Sequence, residues 1–538
     1  MIWKLFLGLA FLFLQTEIVL GQEARGIIKG TVRDSSNGET IPFANILLEG
    51  TKIGAAASIR GFYLIPDLPA GTYRVKATAV GFEPKTKLIT LTPNATVDVQ
   101  FKLSPKPPEL EPTTVTAERL KGLYETAPSV QPIGREEIQL VPVTVDPDLF
   151  RVLSTFPGVV RTSDVSSQFY VRGGGGDQNL ILLDGITVYN PFHGFGLFSI
   201  FDADAIKVSE LFTGGIGVQY GRRLSSVLNI ITRDGNSNRL AGKVTMGFLS
   251  ARGLVEGPLP KGSWIISGRK SLFHRTLKKF LHQEVPLDFY DVIAKLSFRP
   301  GEDSWLSANL LLSNDDLTQP NALEPSYLWR NRGFGLSYHQ LLGEKYYATL
   351  RMTVSKFRGK LDPQKSPTIR PQSTNVDEIS FHADMNYFAS QQDQTEIGAS
   401  WSIPEMRSEL VNSAGIRTQA SGSTAETGVW VKYKTTRWYP FVAEAGSRFN
   451  IVLLQSKPQF VSEPRLAVRY QVRPDVALTV SYGRYHQQVM TISNEDDIIS
   501  LFESWVPVPE TVAAEEADHN VAGIELILLD RLELNLQG

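Results

Sequence analysis

The run Tyr189-Asn190-Pro191-Phe192-His193-Gly194-Phe195 sets aromatic, amide and imidazole groups side by side. That mixture suits recognition: the rings offer stacking faces to a sugar or an aromatic chelator. Tyr189, Asn190, Phe192, His193 and Phe195 are therefore candidate ligand contacts, with a packed loop core as the alternative. Catalysis has less support. The 7 histidines are scattered with no nucleophile motif beside them, and there are 0 cysteines, which removes disulfides, thiolate metal sites and thiol catalysis together. No catalytic residue, metal centre or cofactor is expected. Asp315-Asp316 and Glu495-Asp496-Asp497 carry calcium-binding chemistry, although solvated loop acids are the commoner outcome of such clusters.

The glycine runs invite a nucleotide reading, which the spacing rejects. After Gly173 and Gly175 the third position of a dinucleotide fingerprint holds Gln178, and after Gly215 and Gly217 it holds Tyr220. Gly257 and Gly262 have the outer spacing of a phosphate loop, but Ser263 follows where a lysine is required. These glycines instead permit tight turns and close backbone approach. Nucleic acid is excluded as a partner on charge: 54 Lys+Arg against 56 Asp+Glu leave a net −2 with no basic excess.

The elements that must position these residues are mainly strands. Gly 44, Pro 31, Tyr 17, Phe 28 and Trp 8 suit a turn-rich, aromatic β protein. Residues 1–21 read as an export signal: Lys4, an apolar run over 5–14, then Val19-Leu20-Gly21 before a cut at Gln22. Residues 26–103 alternate over six or seven short strands separated by turn chemistry, the pattern of a small β-sandwich. Residues 104–119 begin with a proline-rich linker and continue into the β-branched run Thr113, Thr114, Val115, Thr116 and Ala117. Residues 120–235 mix short helices and strands, with Asp146-Pro147 read as the cap and first turn of a helix carrying Leu149, Val152 and Leu153. From 240 to 538 the strands become amphipathic and paired. Val292, Ala294, Leu296 and Phe298 alternate with Ile293, Lys295, Ser297 and Arg299, and Leu306, Ala308, Leu310 and Leu312 alternate with Ser307, Asn309, Leu311 and Ser313. One apolar and one polar face is the repeat of a transmembrane barrel. Aromatic residues near strand ends (Trp264, Trp329, Trp430, Trp438, Trp505) fit interfacial girdles, and the polar stretches 360–375 and 404–423 read as long outer loops.

Two resemblances join these parts. Ile41-Pro42-Phe43-Ala44-Asn45, Arg60-Gly61-Phe62-Tyr63, Leu68-Pro69-Ala70-Gly71-Thr72-Tyr73 and Val80-Gly81-Phe82 resemble the carboxypeptidase-regulatory-like domain, with no peptidase constellation. Val115-Thr116-Ala117-Glu118-Arg119 looks like the TonB box of TonB-dependent outer-membrane transporters. Tyr170-Val171-Arg172-Gly173, Leu182-Leu183-Asp184-Gly185-Ile186, Val208-Ser209-Glu210, Tyr220-Gly221 and Val227-Leu228-Asn229-Ile230-Ile231-Thr232 are similar, in order and spacing, to that family's plug domain. The combination is similar to receptors of the Bacteroidetes type.

The resemblance implies a plug seated in a barrel of the outer membrane, with the sandwich in the periplasm. It implies import of a ferric siderophore-like chelate or another scarce nutrient, with oligosaccharide or peptide cargo and a non-transporting adhesion role left open. Thr113, Thr114, Val115, Thr116 and Ala117 would pair with TonB, which is driven by its inner-membrane motor proteins. Arg172, Glu210, Arg222 and Arg223 are candidate plug–barrel contacts, against solvated surface positions. A surface lipoprotein partner is left open. A plugged barrel of ~22 strands, at ~9–11 residues each before loops, needs more than the roughly 300 residues after Gly235, so a C-terminally incomplete barrel is expected.

Overall fold

A computed structural model describes residues 25–51, 53–106, 130–140, 147–161, 169–247, 250–272, 287–412, 415–454, 457–492, 502–509, 512–528 and 532–538. The export signal and the Thr113 to Ala117 segment lie outside them.

The N-terminal module is a sandwich of two four-stranded sheets. In one, Arg25–Asp34 pairs with Phe62–Pro69, Thr96–Asp98 and Phe101–Leu103. In the other, Asn45–Leu48 lies between Gly54–Ala56 and Gly71–Thr78, which pairs onward with Lys85–Leu91. Ile28, Val32, Ile46, Leu48, Val75 and Phe101 fill the space between. The eight strands exceed the six or seven expected. In Lys85–Leu91 most side chains face water and leave little alternation to read.

A five-stranded sheet organises the middle of the chain, in the order Ile186–Thr187, Asn179–Leu183, Ser226–Thr232, Ile206–Phe212, Val130–Gly134. Asn179–Leu183 runs parallel to Ser226–Thr232 and is buried along its whole length, as a strand covered on both faces must be. The helix Leu149–Leu153 packs Leu149, Phe150, Val152 and Leu153 into the core beneath it. Its cap is Asp148, not Asp146. Asp148 holds the extended conformation and accepts from the Phe150 amide at 2.9 Å and the Ser199 amide at 2.7 Å. Capping therefore ties the helix to the short strand Phe198–Ser199, which pairs with Phe192–His193.

Among the described residues, fifteen antiparallel strands, from Ala241–Met246 to Leu532–Gln537, form the third module, each paired with its sequence neighbour in the sheet. Leu296 and Val480 are 55% and 60% exposed on the outer face, whereas Lys295, Asn309 and Ser313 are buried against the interior. The apolar/polar alternation therefore has the sense expected of a transmembrane barrel. No described helix is long and apolar enough to cross a membrane. Among the described residues the first and last strands are not paired with each other.

Two expectations need correction. The stretch 404–423 is wall rather than loop: Asp393–Val411 and Arg417–Thr435 run nearly through it, with Glu405, Arg407 and Glu409 alternating with buried Met406, Ser408 and Leu410. Strands of 19 residues exceed the ~9–11 that span lipid, and beyond the apolar band both faces turn polar and the pattern fades. Trp329, Trp430 and Trp505 are buried inside the wall, so they form no girdle; Trp438, in a turn, is 65% exposed.

The wall surrounds the middle module. Asp291, near the wall's beginning, bonds His193, and Gln537, in its last strand, accepts from Arg172 at 3.0 Å. The sandwich sits across the end where the turns are short: Lys29 pairs with Asp303 at 2.9 Å, and the Phe62 ring stacks on Tyr347 at 5.7 Å.

Candidate functional site

The loop after the Asn179–Leu183 strand turns at Asp184-Gly185, both with positive φ (48° and 88°), the conformation a two-residue hairpin needs. The turn drives Ile186 against the wall at Gly333 and Gly335, where an added Cβ would stand 2.6 and 3.2 Å from Ile186 carbons. Phe334 and Leu336, the alternate residues, face outward. The two glycines thus clear the inner face only, a feature the sequence analysis missed; glycines in alternate positions of an otherwise amphipathic strand were the available signal.

Downstream of Ile186 the candidate ligand residues divide. His193 is fully buried; its Nε2 lies 2.7 Å from Asp291, its Nδ1 lies 3.7 Å from Asp315, and its ring stacks on Phe289 at 4.2 Å. Burial alone would depress the imidazole, but the two carboxylates outweigh it and hold His193 above its ordinary value. Asp291 also takes Arg269 at 2.6 Å, and Asp315 accepts from the Gly194 amide at 2.7 Å. His193 is thus a buried fastening to the wall. Asp315, read as a loop acid, is buried in the same group. Tyr189 is buried as well; its hydroxyl bonds Glu378 and its ring meets Trp505 edge-on at 5.0 Å. The Asn190 carbonyl accepts from Asn331 Nδ2 at 2.7 Å, and Phe192 is half-buried against Phe150. Phe195 lies in the short helical turn Gly194–Gly196.

Tyr189, Asn190 and Phe192, with Tyr170, Trp329, Trp505 and Glu503, line a cavity of about 70 Å³ at the barrel end away from the sandwich. Burial, with Asp177 adding repulsion, pushes the Glu503 carboxyl up to about 7. Glu503 and Trp505 belong to a wall connection that folds inward. Its strands Val489–Ile492 and Ser504–Pro507 form a hairpin, held by Ser408 Oγ donating to the Trp505 carbonyl (2.7 Å) and by the Thr491 amide donating to Asp177 (2.9 Å). Nothing in its sequence distinguishes an inward from an outward loop, and Glu495, Asp496 and Asp497 lie outside the described residues.

The arginines lie at the boundary between the middle module and the wall. Arg222 Nη1 is 2.6 Å from Glu378, which also accepts from Thr187 Oγ1 (3.2 Å) and Ser380 Oγ (2.6 Å). Arg223 is buried with its guanidinium 5.1 Å from the Trp505 ring and 6.0 Å from Tyr189; burial lowers it from its ordinary value. Glu210 accepts from Asn229 at 3.1 Å within the five-stranded sheet. Among the described residues no group of three His, Asp or Glu is arranged to hold a metal ion.

Residues 28–115 match the CarboxypepD_reg-like domain family, and residues 123–226 match the TonB-dependent Receptor Plug Domain family. The fold is shared with solved structures. A variant of the ferric enterobactin receptor PfeA of Pseudomonas aeruginosa superimposes with a TM-score of 0.59 at 16% identity, covering 78% of this chain and 71% of that one. In domain content and fold the chain is a TonB-dependent receptor. The siderophore receptor PirA of Acinetobacter baumannii gives a TM-score of 0.58 at 16% identity, covering 79% of this receptor and 71% of that chain. The alcaligin receptor FauA of Bordetella pertussis gives 0.55 at 14%, covering 77% and 70%. In sequence, the receptor is 23% identical over 259 residues to the TonB-dependent transporter Oar of Myxococcus xanthus, across 46% of this chain and 24% of Oar. The match thus spans about a quarter of that curated relative's length. These relatives are transporters and receptors rather than enzymes, and the family's barrels are outer-membrane barrels. In this receptor the middle module is the plug, and His193, Arg222 and Tyr189 fasten it to the barrel wall.

Proposed function

We propose that this receptor imports a scarce nutrient of the ferric siderophore-like chelate class across the outer membrane, energised by the inner-membrane proton-motive force through TonB. The observation that carries the reading is a folded plug fastened across the barrel interior by buried ion pairs, Arg222 to Glu378 and His193 to Asp291. Such a plug stops the bore until work is done on it. Thr113, Thr114, Val115, Thr116 and Ala117 are the segment on which TonB adds a strand, and pulling there loosens the plug. The short-turn end bearing the sandwich then faces the periplasm, and the aromatic cavity at Tyr189 and Trp505 faces the cargo.

The neighbours named for enterobactin, siderophore and alcaligin support the chelate class, as does a cavity walled by Tyr170, Tyr189, Trp329 and Trp505. The same rings suit a sugar face, which makes oligosaccharide import the second reading. Deleting residues 113–117 tests the energised step. Uptake of the supporting iron source should vanish while surface binding persists; uptake that continues would leave a binding or adhesion protein. Growth of a strain lacking the receptor on defined iron and glycan sources distinguishes the two cargoes.

A further inference from the structure

A second cavity, of about 580 Å³, lies where the sandwich, the end of the plug and the short barrel turns meet. Arg33 and Arg60 line it from the sandwich, and Arg299, Trp305, Ser307 and His339 line it from the barrel. Three carboxylates line it as well: Glu302 is exposed in the barrel turn, and Asp234 and Glu39 are engaged elsewhere. Asp234 stands 3.0 Å from both Lys207 and Lys295 and 3.6 Å from Arg60. Glu39 binds Arg233 at 3.1 Å and accepts from the Gly235 amide at 2.8 Å.

The donors facing this cavity are not matched in the same way. Arg33 gives one nitrogen to the Gly38 carbonyl at 2.8 Å, and among the described residues neither Arg33 nor Arg299 has a carboxylate at ion-pair distance. Arg299 lies over the Trp305 ring at 5.1 Å, with its Nε and Nη2 buried and without an acceptor. Trp305 Nε1, Ser307 Oγ and both ring nitrogens of His339 are likewise buried and unpartnered, and Ser307 and His339 are each only 5% exposed. An unmade hydrogen bond at a buried donor carries its full desolvation cost. A cavity ringed by such groups and two guanidiniums therefore selects for a ligand that is anionic and accepts from several directions.

We propose that this cavity binds a small oxyanion of the phosphate class, bridged between Arg33 of the sandwich and Arg299 of the barrel, with Trp305, Ser307 and His339 completing its shell. The forked guanidinium matches a tetrahedral oxyanion at two points at once. Burial lowers both arginines from their ordinary value, and the charge of Arg33 helps push Arg299 down to about 10; an anion between them reverses that repulsion. The bound anion then ties the sandwich across the short-turn end, whatever cargo the receptor takes. The volume admits either free phosphate or the phosphate of a small ester.

Calorimetric titration of the full chain in detergent, at constant ionic strength in chloride, tests the proposal with inorganic phosphate in one arm and glycerol 3-phosphate in the other. Saturable binding at one site per chain is expected, weakened at least tenfold by R299Q and by R33Q and unchanged by K360Q, which alters an exposed lysine at the opposite barrel end. Equal affinities in the two arms assign free oxyanion, and tighter binding of the ester assigns a phosphate ester. R33Q lies in the separately cored sandwich and carries the test if R299Q does not fold. The wild-type melting temperature should also rise with the better ligand. Absence of saturable heat in both arms, or R33Q binding as tightly as wild type, overturns the proposal.

Discussion

The guanidinium of Arg222, in the plug, lies 2.6 Å from the carboxylate of Glu378 on the barrel wall, and the same carboxylate receives the Tyr189 hydroxyl and Thr187 Oγ1. Three plug side chains, two from one turn of chain and Arg222 from a later segment, thus converge on a single wall residue that is 2% exposed.

A charge so placed is costly to strand. Replacing Arg222 by Met, or Glu378 by Gln, should destabilise the plug–barrel contact by ~3–5 kcal/mol, whereas the double replacement should cost less than the two singles summed. Urea unfolding in detergent, read from plug-specific fluorescence labels, measures both. Additive single effects would show that the pair does not act as one fastening.

His193 predicts a pH dependence. Its imidazole is held above its ordinary value by Asp291 and Asp315 against the opposing effect of burial. Folding gains from that proton fully below the unfolded value of ~6.5, and the gain disappears as pH rises through the higher folded value. The melting temperature of wild type minus that of H193Q should therefore be largest near about pH 6 and shrink toward about pH 9. A difference that stays flat, or grows, contradicts a protonated fastening.

Glu503 also lowers stability as pH rises, although here the form that folding favours is the neutral one. Its carboxyl rises from 4.5 to about 7 through burial and the nearby Asp177 charge, so the folded state favours the neutral form. E503Q should be without effect below pH 4.5, gain stability relative to wild type between 4.5 and about 7, and hold a constant advantage above that. Paired melting curves across this range decide it, and an E503Q advantage already complete at pH 4 would remove the carboxyl as its cause.

The glycine pair at the wall offers a steric test. A side chain at Gly333 meets Ile186, and overpacking of this kind costs ~1–3 kcal/mol. G333V should loosen the plug by that amount, and the second change I186A should restore most of it. Failure of the rescue would place the strain in the barrel strand instead of at the plug turn.

The sequence by itself determined the passage from short strands to paired amphipathic ones, and the face of those wall strands in which apolar and polar residues alternate. Leu296 and Lys295 could be assigned to opposite sides of the sheet because a period of two is a local property of the backbone. The Asp184-Gly185 turn was legible for the same reason. Only the tertiary structure decided that His193 turns into the wall, that Trp329, Trp430 and Trp505 point inward, and that the connection bearing Trp505 folds over the plug. Each depends on a partner distant along the chain: Asp291 for His193, Glu396 for Trp430, Thr374 for Trp505. Local patterning fixes which way a side chain leaves its own strand, whereas its partner is fixed by where the assembled wall brings another strand, and no spacing of residues encodes that distance.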